Sequence, residues 1–323
     1  MIRELLVEKD KIIYDQIENH ILLGANNHIS AIGNMIENIL LKNNIDNFEK
    51  KEQVKKICQY YILTRGQASQ AITNAIYKMI SNIDTSEITS KNFSTEIIRN
   101  KNIYFDENKK NLDMLLEFSV NISKKFNSIL VYDYSSTVEK FLIKLSEDGK
   151  IRKLYIPESR VINGGKPFID SALNTEKYTI HFIPDCAIAY FMKDIDACYM
   201  GAETMYADGS CFNTLGSDIV GILCNYYKVP LYFLTPMIKL DYRAVYGIEK
   251  TLIMDNLKNK LSKELGEKYL ETKIDFTVPE LVMVESKYIT AIITEKGIIP
   301  ANQMFNIAEE YYKELREGVK FDG

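Results

Sequence analysis

The chain is 323 residues long, with 46% hydrophobic and 26% charged residues. That length exceeds one ordinary domain and predicts two, and the composition excludes wholesale disorder and a fibrous repeat. Forty basic against forty-four acidic side chains leave a net charge of -4, which disfavours a protein held to nucleic acid mainly by phosphate contacts.

The N-terminal stretch MIRELLVEKDKIIYDQIENHI is charged every few positions and has no apolar run. No secretory signal is expected, nor any membrane span in the rest of the chain. The odd set Cys58, Cys186, Cys198, Cys211 and Cys224 contains no CxxC pair, so reduced, mostly buried thiols in a cytoplasmic protein are predicted, with no metal site and no cofactor. Residues 1–125 read as a helical domain. Ile12, Ile13, Ile17, His20 and Ile21 form one helical stripe, and Ile29, Ile32, Met35, Ile36 and Ile39 form another. Residues 67–83 and 112–126 repeat the pattern.

From residue 126 to 323 the rhythm changes. Short apolar runs at 128–132, 153–156, 179–183, 197–200, 231–234 and 289–294 alternate with helical segments at 137–146, 167–171, 185–192 and 215–227. Strands buried on both faces and separated by helices predict an α/β, Rossmann-like domain with a mostly parallel sheet. Residues 248–274 break the alternation. Ile253, Leu257, Leu261 and Leu265 lie four apart between charges, which predicts an amphipathic surface helix, an insertion or an oligomer contact.

In such sheets ligands sit at the carboxyl ends of the strands, so residues just after strands are the candidates. No nucleotide fingerprint, HExxH or GxSxG is present. His20 and His28 fall in the helical half, and His181 lies inside a strand as a core residue. Asp133 follows the first strand and could be a helix N-cap, a general base or a hydroxyl acceptor. In YIPESRVINGGK, Arg160 suits a phosphate or a sugar hydroxyl, while Gly164 and Gly165 admit a ligand close to the backbone. In GAETMYADGSCFNTLGSD, Glu203 follows a strand within a loop dense in small and polar residues.

These segments together resemble the initiation factor 2B alpha/beta/delta-related superfamily, which includes ribose-1,5-bisphosphate isomerase and methylthioribose-1-phosphate isomerase. GAETMYADGSCFNTLGSD is similar to its pattern GA(D/E)xxxxNGxxxNKxGT, and YIPESRVINGGK to its Arg-bearing, Gly-Lys-ending segment. LTPMIKLD, LTRGQASQAITNAI, LLGANNHISAIGNMI and VESKYITAIITEKGIIP resemble further family segments.

The resemblance implies a sugar-phosphate pocket between a helical N-terminal domain and a Rossmann-like domain. Its contacts would include Gly24, Ala25, Arg65, Arg160, Asn213 and Lys239. It also implies a phosphorylated small molecule as ligand and a homodimer or higher oligomer formed through the Rossmann-like domain. The isomerase pattern places a Cys where this chain has Asp133, an Asp where it has Glu203, and a Lys where it has Thr214. Asp133 and Glu203 could still act as a proton-transferring pair. Alternatively the protein is a non-catalytic regulatory subunit that binds a phosphorylated metabolite or nucleotide.

Overall fold

The computed structural model describes residues 2–22, 24–81, 92–266 and 273–317. The chain divides into two compact units. One comprises Met1–Asn111, Met237–Tyr246 and Asn306–Gly323; the other comprises Leu112–Pro236 and Gly247–Phe305.

The first unit is helical, with α1 (Glu8–Glu18), α2 (Ala25–Leu40), α3 (Asn47–Leu63), α4 (Arg65–Ala68), α5 (Gln70–Ile80) and the start of α6 (Asn92–Ser123). On α2 the apolar stripe Ile29, Ile32, Met35, Ile36 and Ile39 is buried, as its spacing predicts. The run expected to be one helix from 67 onward breaks at Ser69, which separates α4 from α5; residues 82 and 83 lie outside the described residues. Asp46 caps α3 by accepting from the Glu49 N–H at 2.8 Å. The core gathers Ile17, Ile36, Ile57, Tyr61, Ile76 and Ile97, joined by Ile238 from the distant 237–246 segment.

The second unit is built on β1 (Ser128–Val131), α7 (Ser136–Ser146), β2 (Arg152–Pro157), α8 (Lys166–Thr175), β3 (Tyr178–Ile183), α9 (Ile188–Phe191) and β4 (Ala197–Gly201). Next come β5 (Thr204–Tyr206), β6 (Cys211–Thr214), α10 (Ser217–Tyr227) and β7 (Leu231–Leu234). After β8 (Leu240–Asp241), which belongs to the first unit, the chain forms β9 (Met254–Asn256), α11 (Lys258–Leu265) and β10 (Thr277–Pro279). It closes with β11 (Leu281–Val284), β12 (Ala291–Thr294) and β13 (Gly297–Pro300), and α12 (Met304–Arg316) returns to the first unit.

Six strands run parallel in the order β3-β2-β1-β4-β7-β12, and β13 pairs antiparallel at the edge. The α/β class with a mostly parallel sheet therefore holds. Ile129, Val131, Leu154, Ile156, Tyr199 and Ile293 pack with Phe141 and Leu145 of α7 and Phe168 of α8.

Two expectations differ in detail. A single division near residue 125 does not describe the compact units, because Leu115 and Leu116 of α6 already pack in the core of the second unit while Ile238 packs in that of the first. The 248–274 insertion is not one helix. It is the eight-residue α11 enclosed by an antiparallel pair, β9 and β10, and residues 267–272 lie outside the described residues. Among the described residues no helix is long and apolar enough to cross a membrane.

Candidate functional site

The strand order reverses between β1 and β4: β2 and β3 follow β1 on one side, and β4 opens the other. A crevice forms outside the carboxyl ends of strands at such a switch point. Asp133 stands just after β1 and Glu203 just after β4, so the sequence places a carboxylate on each side of it.

Asp133 sits in the left-handed backbone region at φ 59°, where Asp is among the better tolerated residues. It is 4% exposed. It does not cap α7; Ser135 does, accepting from the Val138 N–H at 3.4 Å. The Asp133 carboxylate instead accepts from Ser159 Oγ at 3.0 Å on Oδ1 and from Thr214 Oγ at 2.6 Å on Oδ2. Burial pushes its pKa above the usual carboxylate value. The Thr214 and Ser159 hydroxyls and the Tyr134 N–H oppose that rise, and the charge of Asp185 adds to it. Thr214, the residue at the Lys position of the resembled pattern, thus bonds the residue at its Cys position.

The turn after β2 is shaped around this carboxylate. Asp185 accepts from the N–H groups of Ser159 and Arg160, each at 2.9 Å. Ser159 and Asn163 are left-handed, at φ 47° and 56°. Gly164 lies so close that a Cβ there would fall 1.9 Å from Asp133 Oδ1, which explains the glycine without recourse to a ligand. Gly216, at φ 99°, opens α10 where a Cβ would fall 2.2 Å from the Tyr132 hydroxyl. That hydroxyl donates to the Leu215 carbonyl at 3.0 Å.

The other candidates in this unit are also engaged. Glu203 is half-buried, and its N–H donates to the Phe212 carbonyl at 2.8 Å, tying it to the antiparallel strands β5, β6 and β11. Glu203 and Asp133 are not hydrogen-bonded to each other; the Asp133 oxygens face Ser159 and Thr214. Asn213 is buried in β6 and donates to Ser217 Oγ at 3.0 Å, joining the strand to the start of α10. Arg160 is exposed, bonds Glu264 of α11 and lies 3.9 Å from Glu158.

Gly24, Ala25, Arg65 and Lys239 belong to the first unit. Gly24, at φ 90°, precedes α2 and Ala25 begins it. The Arg65 guanidinium turns to the end of α1, donating to the Ile17 carbonyl at 2.8 Å and lying 3.9 Å from the Glu18 carboxylate. A cation there answers the partial negative charge of a helix C-terminus. Lys239 is half-buried at the end of a single 3-10 turn, Met237–Lys239.

Sequence reasoning missed Ser159 and Asp185 as members of the cluster. Ser159 was within reach, since it lies in the ESR segment. Asp185 carried no local signal, because its role depends on β3 lying beside β2. Cys58, Cys198, Cys211 and Cys224 are buried and only Cys186 is exposed. His181 stacks on Tyr155 with ring centroids 4.5 Å apart.

A family model described as the initiation factor 2 subunit family matches residues 24–301. The chain is 23% identical over 304 residues to ribose 1,5-bisphosphate isomerase of Methanocaldococcus jannaschii, covering 93% of this chain and 94% of that protein. It is 32% identical over 155 residues to methylthioribose-1-phosphate isomerase of Natranaerobius thermophilus, an alignment spanning 46% of this chain and 43% of that one. The crystal structure of 5-methylthioribose 1-phosphate isomerase from Pyrococcus horikoshii superposes with a TM-score of 0.72 at 16% identity, covering 97% of this chain and 88% of that one.

Proposed function

The chain belongs to the initiation factor 2 subunit family, and from that premise we propose that it binds a phosphorylated sugar at the carboxyl ends of β1, β2 and β4. The observation that carries this is the buried Asp133 carboxylate, fixed by two hydroxyls beside the switch point of the sheet. A carboxylate has about four lone-pair positions. Ser159, Thr214 and the Tyr134 N–H take three, which leaves room for one ligand hydroxyl.

Asn213 and Glu203 would add polar contacts, and Arg160 would face the phosphate. A second copy of this chain is the proposed partner, supported by Ile219, Ile222 and Tyr226, which leave an exposed apolar face on α10.

Two activities are open to such a site. With its pKa raised, Asp133 is suited to hold and move a proton, and with Glu203 it would serve an aldose–ketose isomerase. The three hydrogen bonds that already fix it in place favour recognition without turnover, as in a regulatory subunit. We adopt recognition.

The test is titration calorimetry with ribose 1,5-bisphosphate and methylthioribose 1-phosphate, followed by a product assay on the same mixtures. The expected outcome is saturable binding of one of them, abolished in Asp133→Leu, with no ketose formed. Ketose formation lost in both Asp133→Asn and Glu203→Gln would replace recognition by isomerisation. No binding of either compound would remove the sugar-phosphate reading.

A further inference from the structure

The helix of the 248–274 insertion grips the turn that carries Arg160. Lys260 and Glu264 stand four residues apart on α11, so they share one face of it. The Lys260 ammonium donates to the Arg160 carbonyl, to the Val161 carbonyl at 2.9 Å and to Asn163 Oδ1 at 3.1 Å. An ammonium has three protons, and these three acceptors use them all. Glu264 accepts from the Arg160 guanidinium, whose other carboxylate neighbour is Glu158 at 3.9 Å. The Arg160 and Glu264 side chains are 48% and 50% exposed.

We propose that α11 is a displaceable latch on this turn: Lys260 sets the backbone, and Glu264 holds the Arg160 guanidinium until a ligand phosphate takes its place. This rests on the reading of Arg160 as a phosphate contact. The chemistry favours exchange, because carboxylate and phosphate oxygens compete for the same fork of N–H donors. A solvent-exposed pair is weak and screened, so a doubly charged phosphate can replace Glu264. The two α11 residues then act in opposite senses. Glu264 competes with the ligand, whereas Lys260 orders the turn that receives it.

The latch is tested by hydrogen exchange over residues 156–166 and by calorimetry with ribose 1,5-bisphosphate, with inorganic phosphate as a smaller probe. Glu264→Gln should speed exchange in this segment without ligand and tighten binding about two- to five-fold, as expected for loss of an exposed competing pair. Lys260→Ala should also speed exchange but weaken binding. Glu147→Gln makes the same charge change beyond the C-terminus of α7, at the opposite end of the sheet, and should alter neither. Equal tightening by Glu147→Gln would reduce the effect to net charge and overturn the latch. So would unchanged exchange in both α11 variants, or a wild type that binds while Glu264→Gln binds no better. If the wild type binds neither probe, the sugar-phosphate reading fails and the latch falls with it as an anion gate. The exchange data then still report whether α11 holds the turn.

Discussion

Asp133 enters the folded protein as a carboxyl group taken out of water, so its titration is linked to folding. Its pKa is raised in the folded state, chiefly by burial. The stability it contributes is therefore fully present below the unfolded value, about 3.9, and is lost as pH rises through the folded one. Asp133→Asn removes that titration, keeps a side chain tolerant of φ 59° and can still bond the Ser159 and Thr214 hydroxyls. Urea unfolding should show the stability of Asp133→Asn relative to wild type improving from acid to neutral pH. A difference that is flat with pH would mean that Asp133 is as easily ionised in the fold as outside it. The sequence marked position 133 but not its partners. Thr214 lies 81 residues away, and nothing local says that its hydroxyl meets Asp133.

At the scale of elements, the parallel strands were legible because each is a short apolar run. Ser128–Val131 and Leu231–Leu234 are buried at every position, a pattern imposed by having helices on both faces. The antiparallel set β5, β6 and β11 was not legible. Its residues Ala202–Thr214 read as a polar ligand loop, because strands of three and four residues are too short to show alternation. The α11 segment was overread as one long helix, since apolar residues four apart cannot reveal the antiparallel pair that encloses it. Arg65 shows a different limit. Its acceptors are backbone carbonyls at the end of α1, and main-chain groups leave no trace in a sequence pattern. Arg65→Ala should lower stability by about 1–2 kcal/mol, the scale of a charged hydrogen bond at a helix terminus, as read from urea midpoints. Loss of sugar-phosphate binding with stability unchanged would return Arg65 to the list of ligand contacts.

For the whole molecule, the decisive fact is that the helical unit is assembled from three stretches of chain. Asn74 of α5 donates to the carbonyls of Ile238 at 2.9 Å and Leu240 at 2.8 Å, and Ile238 fills part of the core. A fragment of residues 1–125, the domain expected from sequence, lacks these partners. It should unfold with little cooperativity when heated and followed by circular dichroism. A sharp transition comparable to that of the whole chain would show that the first stretch suffices. The same arrangement governs the order of events during synthesis. The N-terminal helices emerge first, but α12 follows roughly two hundred residues later, about 10–40 s at ordinary elongation rates. For much of that interval α5 waits beside a growing chain without Ile238 and Leu240, whose carbonyls Asn74 binds in the finished fold. Newborn molecules therefore offer chaperones and proteases a long window that the finished protein closes.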